Sequence, residues 1–251
     1  MTEVSTPRPS HPRPSQRLGT WWGVLLLILG VGLGITAGLW QLNRAGEKRT
    51  LESSFAAGSA ADALQRLVSD EDLAELRYRR LRVSGRYDAQ HQILLDNISS
   101  GGQPGYQVLT PLRTTEGTVL VNRGWLAANG DRRILPDIQV SDEAREILGR
   151  IERLPRPGIA LPTDTPTPDT AWPRRLLFPT AGQVSAQLGT PLRSYQLLLD
   201  PGAPDGYLRA WQPGGMRPDR HVAYAVQWFG LALTVVVIYL VLVFRNGKQA
   251  S

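Results

Sequence analysis

Two stretches of this 251-residue chain contain no Asp, Glu, Lys or Arg: residues 20–42 (TWWGVLLLILGVGLGITAGLWQL) and 221–244 (HVAYAVQWFGLALTVVVIYLVLVF). They constrain the fold more than any other feature, because about 20 apolar residues rising ~1.5 Å each span the hydrocarbon of a bilayer. Backbone polar groups in lipid must pair within their own segment, so both runs read as transmembrane helices. Trp21 and Trp22 open the first run and Trp40 closes it, as aromatic side chains do at membrane interfaces. A signal peptide is the competing reading of the first run. Its apolar core is longer than a usual signal core, and no clean small-x-small cleavage site precedes Trp40.

Two spans leave both termini on one side. The tails are basic and acid-poor, which predicts a cytoplasmic side for both. Pro7, Pro9, Pro12 and Pro14 prevent the amphipathic helix of a mitochondrial transit peptide, so a bacterial inner membrane is expected. The expected organisation is a disordered cytoplasmic tail at 1–19, spans at 20–42 and 221–244, a periplasmic or equivalent exoplasmic domain at 43–220, and a cytoplasmic tail at 245–251. The formal charge of +6 does not indicate nucleic acid, because residues 43–220 carry 23 basic against 21 acidic side chains and lack a dense basic face. The partner implied by the apolar runs is the lipid bilayer.

Zero cysteine excludes disulfides, thiolate metal sites and a Cys nucleophile, and three histidines (His11, His91, His221) exclude a His-rich cluster. Without a charge in either span there is no proton or ion path through the membrane. Gly30, Gly34 and Gly38 recur every four residues and lay a groove along one helix face where another backbone can approach. The GxGxxA string at 32–37 lacks a preceding strand and is no dinucleotide site.

The loop between the spans predicts an α+β fold, a mainly antiparallel sheet or partial barrel with a few short helices. Residues 60–76 have helical spacing, with Leu64, Leu67 and Val68 on one stripe, and 180–188 predicts a short helix. Strand-type runs fall at 79–87, 92–96, 106–112, 118–125, 147–154, 195–199 and 207–211, punctuated by turns at 99–105 and 128–131. The stretch 155–173 holds six prolines and predicts an extended surface excursion.

Enzyme motifs are absent: no GxSxG elbow, phosphate loop, HExxH or EF-hand occurs. His91, with Asp88 and Asp96 nearby, is the one base candidate in the loop. In RYRRLR (77–82), strand alternation puts Arg80 and Arg82 on the face of Tyr78, either as a solvated face or as an anion site. On the second span His221, Tyr224, Ala225 and Trp228 share a face at i, i+3, i+4 and i+7. A neutral His221 there can ligate heme iron, with Tyr224 and Trp228 flanking the macrocycle and Arg209, Arg217 and Arg220 receiving propionates. Alternatively these groups simply meet headgroups and water.

GLWQLNRAGEK (38–48), GYQVLTPLR (105–113) with GTVLVNRGW (117–125), and HVAYAVQWFGLA (221–232) occur in the order of three signatures of the Surfeit locus protein one family, which the chain resembles. The resemblance implies an assembly factor for heme–copper cytochrome c oxidase that binds heme a through His221 and assists its insertion into oxidase subunit one. It implies Trp40, Gln41 and Arg44 beside that histidine. Other oxidase assembly components and the heme a synthesis machinery are the further implied partners. Two alternatives stand beside it. One is a heme-free scaffold whose glycine face (Gly30, Gly34, Gly38) and Asn122, Arg123, Gly124 and Trp125 contact oxidase helices. The other is a membrane-tethered hydrolase or transferase using His91.

Overall fold

A computed structural model describes residues 16–156 and 171–249. The expectations for residues 1–15, for 157–170 within the proline-rich stretch and for 250–251 lie outside the described residues. The chain is α+β, with a long apolar helix toward each end and a β-rich domain between them in sequence.

Helix α1 covers Gln16–Ala60, so the first charge-free run is the middle of a 45-residue helix. It continues past Leu42 because residues 43–60 lack proline and are rich in Ala, Glu, Lys, Arg and Leu, all favourable in helices. The second long helix, α4, covers Pro218–Gln249 and begins with proline and an acidic residue, Asp219, in its first turn. Both helices are long and apolar enough to cross a bilayer, and most of their apolar side chains are bare; Leu26 and Val226 are 65% and 66% exposed. Lipid supplies the apolar solvent such surfaces need. The protein is a two-pass membrane protein.

The chain divides into two compact units, one formed by residues up to Thr50 with those from Gly214 onward, the other by Leu51–Pro213. In the first, α1 and α4 pack antiparallel, with Val235 beside Gly30, Ala232 beside Gly34 and the Phe229 ring on Gly38. A Cβ at Gly34 would lie 2.8 Å from the Cβ of Ala232 and 3.0 Å from the Trp228 carbonyl oxygen. Gly32, off this stripe, faces open space. Near the end of the pair Lys48 Nζ donates to the Gly214 carbonyl at 2.9 Å.

The second unit is a seven-stranded sheet of β1 (Arg80–Tyr87), β2 (Ile93–Ser100), β3 (Gln103–Thr114), β4 (Gly117–Ala127), β5 (Ala144–Arg153), β6 (Arg174–Leu176) and β7 (Leu192–Leu199). The order is β1-β5-β7-β4-β3-β2-β6, and a further β1–β3 pairing at Arg86↔Arg113 and Tyr87↔Leu112 closes the first five of these into a barrel. All pairings are antiparallel except β4–β7 and β2–β6. The β2–β3 hairpin turns on Gly101 and Gly102, whose φ values of +58° and +81° suit the tight turn that matches strand twist. One apolar core joins Leu81, Val83, Leu112, Val119, Val121, Ile151 and Leu197. Another joins Ile93, Leu95, Leu109 and Leu120 to Val184 of helix α3 (Ala181–Leu188). Strand β4 is therefore covered on both faces. Thr180 caps α3 with a reciprocal Gln183 bond, and Gly189 ends it in the left-handed conformation.

Several sequence expectations differ from the structure. Of residues 60–76 only Leu73–Leu76 (α2) are helical, apart from the last residue of α1. Leu64 instead bridges Leu81, its N–H donating to the Arg80 carbonyl at 2.9 Å and its carbonyl accepting from Arg82 N–H at 2.8 Å. An unpaired strand edge thus outcompetes the local helical spacing. Residues 207–211 make one bridge, Leu208 to Trp125, rather than a strand. Strand β6 was not foreshadowed by its sequence, RRL, which has no alternation to read.

Candidate functional site

The helix pair brings two polar side chains together from opposite ends of the sequence. Gln41 lies on the α1 stripe that also carries Gly34, Gly38 and the fully buried Ala45. His221 lies one turn before Ala225, which is 1% exposed on the facing side of α4. His221 Nδ1 sits 2.7 Å from Gln41 Oε1, a contact spanning 180 residues of sequence. The imidazole makes no other hydrogen bond among the described residues. Trp40 and Arg44 are exposed, and the Arg44 guanidinium lies 6.0 Å from the Trp40 ring centroid. Arg44 also pairs with Glu47 at 2.5 Å. Tyr224 is exposed and Trp228 half-buried. Gly30, Gly34 and Gly38 face this chain's own α4. That corrects the scaffold reading, in which they met another protein's helices: the groove is already filled.

The arginines expected to receive propionates divide. Arg209 donates to the carbonyls of Asp200 and Ala203, each at 2.7 Å, and to that of Tyr207 at 3.1 Å, so its guanidinium is engaged inside the β-rich unit. Arg217 and Arg220 are at the start of α4, where Arg217 approaches Asp219 at 3.4 Å and Arg220 is exposed.

The segment Asn122–Trp125 also turns inward. Arg123 is 2% exposed and donates to Gln92 Oε1 at 2.9 Å, to the Ile138 carbonyl at 3.0 Å and to the Asp205 carbonyl at 2.7 Å. Burial pulls its guanidinium below its usual pKa. Asn122 donates to Gln107 and Gln196, and its own Oδ1 accepts from Gly124 N–H at 3.1 Å. Gly124 has φ +108° and lies against Leu208 and Arg209, where a side chain would clash. Trp125 Nε1 donates to the Ile98 carbonyl at 2.9 Å. The scaffold reading gave these four residues an outward role. The structure corrects it for Asn122 and Arg123, because buried polar groups must be bonded internally and these are.

The same holds for RYRRLR. Tyr78, at φ +72°, is buried and stands outside β1, which breaks the expected alternation. Arg77 bonds Glu152 and Arg82 bonds Glu146, both at 2.8 Å, while Arg79 and Arg80 donate to the carbonyls of Asp62 and Ala61. An anion site with free guanidinium forks is not formed here. His91 Nδ1 lies 2.8 Å from Asp88 Oδ1, and Arg113 donates to Asp88 Oδ2 at 2.5 Å. Burial acts to raise the Asp88 carboxyl, but the His91 and Arg113 bonds outweigh it and hold it below the usual carboxylate range. His91 packs edge-on against Trp172 at 5.0 Å. The His91–Asp88–Arg113 group forms a clamp at the β1–β3 closure.

Sequence reasoning missed the Gln92–Thr110–Arg123 network: Thr110 Oγ1 donates to Gln92 Oε1 at 2.8 Å. Its only local signal is polar residues inside otherwise apolar strands.

Comparison with known families matches the SURF1 family over residues 27–233. Among known proteins, the SURF1-like protein of Rickettsia conorii is 29% identical over 216 residues, covering 82% of this chain and 85% of its own length. That of Rickettsia felis is 27% identical over 226 residues, covering 86% and 95%. Surfeit locus protein 1 of Gallus gallus is 25% identical over 232 residues, covering 84% and 71%. The match runs from within α1 to within α4 and takes in the whole barrel between them: the chain belongs to the SURF1 family.

Proposed function

We propose that the protein is a non-enzymatic assembly factor for heme–copper cytochrome c oxidase, anchored by α1 and α4, that binds heme a and assists its insertion into oxidase subunit one. The observation carrying this reading is the His221 imidazole, bonded at Nδ1 to Gln41 across the helix pair, with no second partner on its ring among the described residues. An imidazole nitrogen is a standard axial donor to heme iron. The donor set fits: Tyr224 and Trp228 follow on the same helix, and the exposed Arg44, Arg217 and Arg220 supply cations for carboxylates. The heme is cargo, so its iron chemistry belongs to the oxidase that receives it. Other assembly components and the heme a synthesis machinery are the remaining partners. The setting is a bacterial inner membrane with both termini cytoplasmic and the barrel outside.

The test is purification of the full chain from cells that make heme a. A heme absorption spectrum is expected, with loss of most of it in His221→Ala while the protein level is unchanged. A parent without heme, or a variant that keeps all of it, would overturn heme binding through His221 and leave a heme-free scaffold. Restored oxidase activity on adding the gene back to a deletion strain is expected, and its absence would remove the assembly role.

A further inference from the structure

We propose that Gln41 is the positioning residue for His221: its side-chain carbonyl holds the imidazole as the Nδ1–H tautomer, which leaves the Nε2 lone pair as the metal-binding atom. This rests on reading His221 as the heme ligand, but the tautomer itself can be examined without heme.

A neutral imidazole carries one N–H and one lone pair, and the partner of one nitrogen decides which is which. Gln41 Oε1 can only accept. At 2.7 Å from Nδ1 it therefore requires the proton to sit on Nδ1. Gln41 is fixed by its place on α1, between Gly38, which meets the Phe229 ring, and the fully buried Ala45. The close approach at Gly34 and Gly38 brings the two helix backbones near enough for a short side chain to reach across. Ligating histidines generally donate their second N–H to a carbonyl or carboxylate, which orients the ring and raises its basicity. Here that acceptor comes from the opposite helix. The ligand is thus set only when the pair is packed.

The experiment uses the full-length protein in detergent micelles, labelled with 15N-histidine. Only three histidines are present, and the His221 resonances are identified by their loss in His221→Ala. Two-bond 15N–1H correlation in mildly alkaline buffer, without heme, is expected to show Nδ1–H for His221. In Gln41→Leu, which keeps bulk but removes the acceptor, the ring should move toward Nε2–H. Gln41→Glu, which keeps an acceptor, should hold Nδ1–H. Ferric heme b (hemin) titrated into the same samples should bind about tenfold or more weakly to Gln41→Leu, with affinity largely restored in Gln41→Glu. An Nε2–H ring in the parent overturns the proposal, as does a Gln41→Leu protein that keeps the parent's tautomer or its hemin affinity. Hemin binding that survives His221→Ala removes the ligand assignment instead, and leaves the tautomer result standing on its own.

Discussion

The helix pair and the barrel treat polar side chains in opposite ways. In the barrel, the polar residues that attract attention in the sequence are consumed by the fold. Arg123 lies buried on Gln92 and the Ile138 carbonyl, and Asn122 lies buried on Gln107 and Gln196. In the helix pair almost nothing polar is buried among the described residues, and the His221–Gln41 contact crosses from one helix to the other. A buried polar network specifies a unique core only when every member is satisfied. The His221 imidazole, by contrast, has one ring nitrogen bonded and no second partner among the described residues. The difference separates polar groups the fold has satisfied from one with bonding capacity left over more cleanly than residue type does.

The comparison breaks most readily at Arg123. Arg123→Ala would leave Gln92 Oε1 and the carbonyls of Ile138 and Asp205 without this donor. Gln92 Oε1 keeps its bond from Thr110 and the Ile138 carbonyl keeps one from Gln92 Nε2, so the Asp205 carbonyl is the group left unpaired; the loss should be roughly 1–3 kcal/mol and lower the barrel's melting transition by near-UV circular dichroism. A change of only a few tenths would mean the network is not structural. Gly34→Leu tests the other side. The chain lacks cysteine, so Gly30→Cys with Val235→Cys reports helix proximity through disulfide formation. Gly34→Leu in that background should cut the cross-link severalfold while barrel melting stays near the parent's. The smallest effect is at the β1–β3 clamp. The Asp88 carboxyl is held below its ordinary value of 3.8, so its stabilisation is present above that pH and is lost as pH falls through the lowered value. Asp88→Asn should be somewhat less stable near neutrality and show a shallower loss on acidification, read from unfolding curves across pH. Equal acid slopes would remove the clamp from the account.

What could be read in the sequence was whatever a local rule imposes. A bilayer demands an uninterrupted apolar run, and 20–42 and 221–244 supply one each. Six of the seven strand-type runs are strands because alternation and turn residues act within a few positions. The run 60–76 misled because Leu64, Leu67 and Val68 pack on the barrel core from an extended chain, and that tertiary demand overrides the helical spacing. The site was half legible. Family resemblance placed Gln41 near His221, whereas the bond itself depends on antiparallel packing that no local pattern encodes. The inward direction of Arg123 was hidden because β4 is covered on both faces, which erases the alternation that separates inside from outside.

The 180 residues between Gln41 and His221 also fix a time. At synthesis rates of about 5–20 residues per second, the acceptor emerges roughly 10–40 s before the imidazole it will hold. The Gln41–His221 contact comes into being only after the barrel's last strand has been made, so a chain stalled or cut short anywhere in between has the first helix without it. Synthesis of the second helix is itself the condition for the contact.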